Sequence, residues 1–302
     1  MPDLSAADRP PIVLLHSSMS SKSQWRELIE SLRDRYRLIP IDLLGYGEFP
    51  TPASSEGYRL DDEVSHVQSV LARELRPGTR FHLIGHSYGG MVALQLAAET
   101  QVRVLSLGLF EPVAFHLLRA SDPDLAVVET TRREMTERLN KGDALGAAQS
   151  FVDYWSGSGA FAQLRESRQL ALAALVPKVL LEFRAVADGA RNAAAYRRIE
   201  VPICLVAGRS SPQPARRLIS MFADMLPHAS CFEVAAGHMA PITHPALVNP
   251  IFERFVRAVD ASGTDAGLSV PRFSEMIAAA RGHGWARAVT FGLLGALISV
   301  LP

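Results

Sequence analysis

The stretch Phe81-His82-Leu83-Ile84-Gly85-His86-Ser87-Tyr88-Gly89-Gly90-Met91-Val92 constrains this chain more than any other. It contains G-x-S-x-G at Gly85, Ser87 and Gly89. The bare pattern is common. It becomes specific where it closes an apolar strand and opens a helix, as it does here. A serine on so sharp a turn needs neighbours without Cβ, because the backbone otherwise collides with itself. The turn lifts the Ser87 hydroxyl above the sheet edge. The helix N-terminus and the Tyr88 amide then face any negative charge that develops there. The competing reading is a structural glycine-rich turn with a bystander serine, and the strand–turn–helix context argues against it.

The rest of the chain repeats the alternation. Strand patterns at Ile12–Leu15, Arg37–Leu43, Arg80–Ile84 and Val104–Phe110 are separated by helical patterns at Gln24–Tyr36, Leu60–Glu74 and Val92–Glu99. The alternation predicts an α/β fold, a mostly parallel sheet of about six strands flanked by helices. From Val113 to about Arg198 no buried strand is expected. Leu125–Asn140, Ala144–Tyr154 and Leu170–Ala187 instead carry apolar residues at helical spacing. Strand patterns resume at Val201–Ala207 and Ala229–Val234, with helices around Ala215–Met225 and Asn249–Val259. The predicted organisation is a core of residues 11–112 and 199–260, an all-helical insertion at 113–198, and a separate apolar helical tail at 263–302.

Composition narrows the classes. With 302 residues, 48% hydrophobic and 21% charged, the chain is neither disordered nor fibrous. Lys+Arg 31 against Asp+Glu 31 gives no net charge, which argues against a nucleic-acid partner for the whole chain. Two cysteines, Cys204 and Cys231, lie in short apolar runs and make no disulfide framework. The first apolar run is too short for a signal core, and a reducing cytoplasmic compartment is the default expectation. No metal-ligand spacing and no phosphate-binding or dinucleotide fingerprint occurs, so no metal and no cofactor is implied.

A nucleophilic serine needs a base. Gly237-His238-Met239 follows the last strand pattern, and His238 is the best of nine histidines. His86 reads as a packing residue, His82 as facing the sheet and His244 as a loop residue. An oxyanion site needs a second amide besides that of Tyr88. Leu14-Leu15-His16-Ser17-Ser18-Met19 ends the first strand and offers that of Ser18.

These pieces resemble the α/β-hydrolase superfamily. They are His16-Ser17-Ser18, Asp42-Leu43-Leu44-Gly45-Tyr46-Gly47, Gly85-His86-Ser87-Tyr88-Gly89-Gly90 and Gly237-His238, and the resemblance runs from about Pro11 to Ala258. It implies a capped serine hydrolase, with the cap inserted after the superfamily's sixth strand. It also implies a Ser–His–acid triad in a pocket between core and cap. Two departures stand out. Only about ten residues precede the first strand, so the usual N-terminal hairpin is absent or vestigial, and Ser17 replaces the usual glycine after His16. Asp42 belongs to a loop that is structural in the superfamily.

The superfamily's usual acid slot, after the next-to-last strand, reads Gly208-Arg209-Ser210-Ser211-Pro212. Ser211 cannot stabilise an imidazolium by charge. Some members carry the acid one strand after the nucleophile helix. Here that strand ends in Glu111-Pro112, which keeps the order Ser87, Glu111, His238. Glu111 is therefore the expected acid; the competing reading makes it a hinge glutamate, solvated or paired with arginine.

The expected chemistry is acyl transfer through an acyl-enzyme, on an ester-type bond of a small apolar or aromatic molecule. C–C bond hydrolysis of a diketone, an acyltransferase and a non-catalytic binding module of the same fold are the alternatives. His16, Phe115, Trp155 and Met239 are the named candidates for substrate contact. His116, Phe151, Tyr154 and Phe161 join them as pocket-facing candidates. The tail ends in 15 residues, Ala288 to Pro302, without a charge. They are too short to span a bilayer unaided. Docking on the core or pairing with another subunit is expected ahead of contact with a membrane surface.

Overall fold

The computed structural model describes residues 9–51, 57–99, 103–189 and 191–262. Six parallel strands form one sheet in the order β2-β1-β3-β4-β5-β6. They are β1 (Ile12–Leu15), β2 (Leu38–Ile41), β3 (Phe81–His86), β4 (Val104–Phe110), β5 (Ile203–Gly208) and β6 (Ser230–Val234). The helices are α1 (Arg26–Leu32), α2 (Leu60–Glu74), α3 (Ser87–Ala97), α4 (Pro123–Asn140), α5 (Ala144–Ser156) and α6 (Glu166–Ala174). Then come α7 (Val176–Gly189), α8 (Ala193–Tyr196), α9 (Gln213–Met225), α10 (Ala240–Thr243) and α11 (Pro245–Ser262).

Side-chain alternation along the strands builds two cores. Val13, Leu15, Leu83, Leu107 and Leu109 face the layer that holds Val64 and Val67 of α2, Met91 of α3 and Leu218 of α9. Ile12, Leu14, Ile84 and Phe110 face the other layer, with Leu28 of α1 and Phe252, Phe255 and Val256 of α11. Each strand of this sheet centre is buried on both faces, which is why the strands read as continuous apolar runs. On the second face His82, fully buried, bridges Ser106 Oγ (2.7 Å) and Asp260 (3.0 Å). This arrangement ties α11 to β3 and β4.

The predicted elements and the observed ones differ in three places with physical causes. Leu170–Ala187 is two helices, because Pro177 has no N–H to continue a helix and fits the first turn of α7 instead. Helix α11 begins at Pro245, four residues before the expected start, again with proline in a first-turn position. The Gln24–Tyr36 pattern resolves into a 3-10 turn at Lys22–Trp25 followed by α1, which stops at Leu32. Among the described residues no strand lies between β4 and β5; helices α4 to α8 occupy that interval. The expected tail helices, Arg272–Arg281 and Trp285–Val300, lie outside the described residues. Among the described residues no helix is long and apolar enough to cross a membrane.

Strand order reverses between β1 and β3: from β1 the chain first adds β2 on one side, then β3 on the other. The crevice beyond the carboxyl ends of β1 and β3 is where open α/β sheets bind ligands. Ser87 follows β3, His16 to Met19 follow β1, and Glu111 follows β4.

Candidate active site

The Ser87 turn is as tight as the sequence requires. Ser87 has φ of 55°, a left-handed value that a non-glycine residue adopts only under constraint. A Cβ on Gly85 would lie 2.5 Å from the Gly89 carbonyl oxygen, and one on Gly89 would lie 2.3 Å from that of His16. Both obstacles are backbone, so neither glycine has room for a side chain. The loop after β1 therefore sits directly against the first turn of α3.

Three side chains from three separate strand ends meet here. His238 Nε2 lies 2.9 Å from Ser87 Oγ, and its Nδ1 lies 2.6 Å from Glu111 Oε2. A carboxylate only accepts, so Nδ1 carries the proton and Nε2 presents its lone pair to the serine hydroxyl. The second Glu111 oxygen accepts the Gly208 amide at 2.7 Å. Ser87, Glu111 and His238 are 5%, 1% and 1% exposed. Glu111 also has a left-handed φ, 43°. His86 donates from Nε2 to the His238 carbonyl (2.9 Å) and holds that loop down. Burial keeps His86 neutral, well below the usual histidine range.

Ser211 takes no part in this chain. Its hydroxyl is buried and has no hydrogen-bond partner among the described residues. The usual acid slot is thus occupied by a group that touches no imidazole nitrogen, while Glu111 reaches His238 from the neighbouring strand.

A cavity of about 270 Å³ opens beside Ser87. Of the residues named from the sequence, Ser18, Tyr88, Phe115, Trp155, His116 and Phe151 line it. Tyr154 and Phe161 do not. Its remaining wall is largely aliphatic, with Val128 of α4 and Val179 and Val186 of α7. Trp155 lies face to face with His238, ring centroids 3.8 Å apart and 26° from parallel. The sequence placed Trp155 in the pocket; its stacking on the imidazole had no sequence signal, because α5 and the His238 loop are remote in the chain.

Two expected contacts are corrected. His16 does not line the cavity: it is fully buried, donating from Nδ1 to the Ser17 carbonyl (2.8 Å) and accepting the Leu43 amide on Nε2 (3.0 Å). Burial is the main cause that brings its pKa down to about 4. Met239, the residue that caps α10, is also absent from the wall. Glu182 of α7 lines the cavity and was not expected there. Asp42 accepts the Lys22 amide (2.6 Å) and braces the β2 loop, the structural part expected of it.

The oxyanion candidates have a distinctive environment. The Ser17 amide donates to Gln24 Oε1 (3.1 Å) and the Met19 amide to Tyr46 Oη (3.1 Å). Between them the Ser18 amide has no acceptor among the described residues. The Tyr88 amide is in the first turn of α3, where no preceding carbonyl is placed to accept it. Among the described residues no group of three or more His, Cys, Asp or Glu is arranged to hold a metal ion.

Residues 10–245 match the model of the alpha/beta hydrolase fold family, and the chain belongs to that family. It is 31% identical over 140 residues to "Probable lysophospholipase BODYGUARD 2" of Arabidopsis thaliana, covering 44% of this chain and 29% of that protein. It is 28% identical over 280 residues to the biotin biosynthesis bifunctional protein BioHC of Teredinibacter turnerae, covering 83% of this chain and 45% of that protein. The chain thus spans less than half the length of either relative. Among solved structures, a hydrolase from Pseudomonas aeruginosa shares the fold with a TM-score of 0.68 at 23% identity, over 84% of this chain and 92% of that one.

Proposed function

We propose that the protein is a serine hydrolase that cleaves an ester-type bond of a small apolar or aromatic molecule. The hydrogen-bonded chain Ser87–His238–Glu111 carries this reading. His238 takes the Ser87 proton as the hydroxyl attacks the carbonyl, and Glu111 holds the imidazole in the required tautomer and offsets the imidazolium charge. The indole face of Trp155 lies where that imidazolium forms and adds a cation–π contribution of about 0.5–2 kcal/mol. The unengaged amides of Ser18 and Tyr88 receive the oxyanion. His238 then returns its proton to the leaving group, and water hydrolyses the acyl-enzyme by the reverse sequence.

The helices between β4 and β5 act as a cap over the core, and their apolar wall supports an apolar acyl or alcohol portion. A cavity of this volume fits a short substrate. The test pairs a fluorophosphonate probe with a panel of p-nitrophenyl esters, thioesters, lactones and a vinylogous diketone, each run beside Ser87→Ala. Ser87-dependent labelling with preferred turnover of short apolar esters is expected. No labelling would make the chain a non-catalytic module, and preference for the diketone would move the reaction to C–C cleavage.

A further inference from the structure

A buried ionic cluster that the triad does not use reaches the cavity wall at Glu182. Lys178 of α7, 1% exposed, is 2.8 Å from Glu182 of the same helix and 3.1 Å from Glu63 of α2. It also donates to Tyr58 Oη (3.0 Å), and the rings of Tyr46, Tyr58 and Tyr88 surround its ammonium at 4.9–5.1 Å. Tyr58 Oη hydrogen-bonds both Glu63 and Tyr88. A charge so deeply buried persists only with partners of this kind.

Glu182 connects the cluster to the loop after β1. Its Oε2 accepts the Ser18 hydroxyl (2.5 Å). Its Oε1, besides meeting Lys178, accepts the Tyr46 hydroxyl (2.7 Å), whose oxygen in turn accepts the Met19 amide. One carboxylate therefore holds two consecutive residues of the loop, the first through its side chain and the second through Tyr46. Met19 is kept at φ 54°. Between these two anchors the Ser18 amide has no acceptor among the described residues.

We infer that Glu182, balanced by Lys178, is a positioning residue that fixes the Ser18 amide for the oxyanion. The inference rests on the hydrolase reading above and deepens it. Because Glu182 belongs to a cap helix, it makes oxyanion stabilisation depend on that helix being seated on the core. A cap displaced from the core releases Ser18 and Met19 together.

Three variants of the full chain test this: Ser18→Ala cuts the link at the loop, Tyr46→Phe cuts the link to Met19, and Glu182→Gln weakens both. Each is assayed for kcat and KM on p-nitrophenyl butyrate and for thermal melting. Each is also assayed for inhibition by an alkyl trifluoromethyl ketone, which forms a tetrahedral oxyanion on Ser87, and by the matching neutral alcohol, which forms none. Losing an oxyanion donor outright costs about 10²–10³ in kcat, so misplacing one should cost about ten- to a hundredfold. The expected result is that fall in kcat with KM within twofold, a trifluoromethyl ketone Ki weakened by the same factor, and an unchanged alcohol Ki. A merely structural cluster would lower the melting temperature and weaken both inhibitors alike, which would overturn the inference. Should Glu182→Gln fail to fold, Ser18→Ala decides, since it removes one hydroxyl and no charge. Wild-type turnover with all three variants at wild-type kcat overturns this inference alone. A wild type unreactive to fluorophosphonate overturns the hydrolase reading and this inference with it.

Discussion

Glu111→Gln separates the two readings of the acid with a change of one atom. In the structure one Glu111 oxygen accepts the Gly208 amide at 2.7 Å and the other accepts His238 Nδ1–H at 2.6 Å. A glutamine has one acceptor to offer. If its oxygen stays on Gly208, its NH₂ faces Nδ1, which must then be the unprotonated nitrogen. The proton moves to Nε2 and points at Ser87, the wrong tautomer for a base. If the amide flips, its NH₂ opposes the buried Gly208 N–H, and leaving that donor unpaired costs about 1–3 kcal/mol. The first arrangement preserves the fold and is the cheaper. The same carboxylate-to-amide change in serine proteases lowers kcat about 10⁴-fold, equivalent to about 5.4 kcal/mol of barrier. The assay is kcat/KM on the best ester, with a melting curve to show that the variant is folded. A folded Glu111→Gln enzyme within tenfold of wild type would refute the argument and leave Glu111 a hinge residue.

Other changes have equally definite outcomes. Ser211→Ala removes a hydroxyl that has no hydrogen-bond partner among the described residues, so turnover should stay within twofold and stability within about 0.5 kcal/mol; a tenfold loss of kcat would show that the slot still orients His238. Gly89→Ala drives a Cβ to 2.3 Å from the His16 carbonyl oxygen, where no side chain can yield. It should cost at least about 3 kcal/mol and appear as a large fall in melting temperature. His16 binds a proton readily when unfolded and only at about pH 4 when folded. The unfolded state therefore holds more protons between those values. Its contribution to stability is present in full above about pH 6.5 and is lost as pH falls toward 4, up to about 3 kcal/mol. Chemical denaturation of wild type and His16→Gln across this range should show a shallower slope for the variant; equal slopes would show that His16 does not titrate on unfolding.

The core was legible because period-2 and period-3.6 patterns are direct consequences of burial on a sheet or a helix face. Helix α2 and strand β4 fall on the residues the pattern predicts, Leu60–Glu74 and Val104–Phe110. The chain order Ser87, Glu111, His238 was legible too, and the fold brings these three side chains within hydrogen-bonding distance. The buried cluster was not legible. Lys178 and Glu182 are four residues apart, a spacing that normally marks a solvated ion pair on a helix surface. A signal existed: Glu182 shares a stripe with Val179 and Val186, both buried on the cavity side. A carboxylate on an apolar stripe is evidence of a partner on another element. That partner loop is 164 residues away in sequence, beyond the reach of any local pattern.

Backbone strain marks the same place as the side chains do. Among the described residues the non-glycine residues with positive φ are Met19, Ser87 and Glu111. They follow β1, β3 and β4, which are adjacent in the sheet. Each conformation costs about 1–3 kcal/mol and persists only where its surroundings over-determine it. The surroundings do so in each case by a different device. Ser87 is fixed by two glycines that let β3, α3 and the β1 loop touch. Glu111 is fixed by its two carboxylate bonds to Gly208 and His238. Met19 is fixed by Tyr46, which hangs from Glu182. None of the three residue types announces a left-handed backbone, which is why only the serine, framed by its glycines, could be recognised from sequence. If strain were incidental to the fold, it would be scattered over the loops at both ends of the sheet. Its confinement to the carboxyl ends of three neighbouring strands is what a site that stores stability as pre-organisation requires.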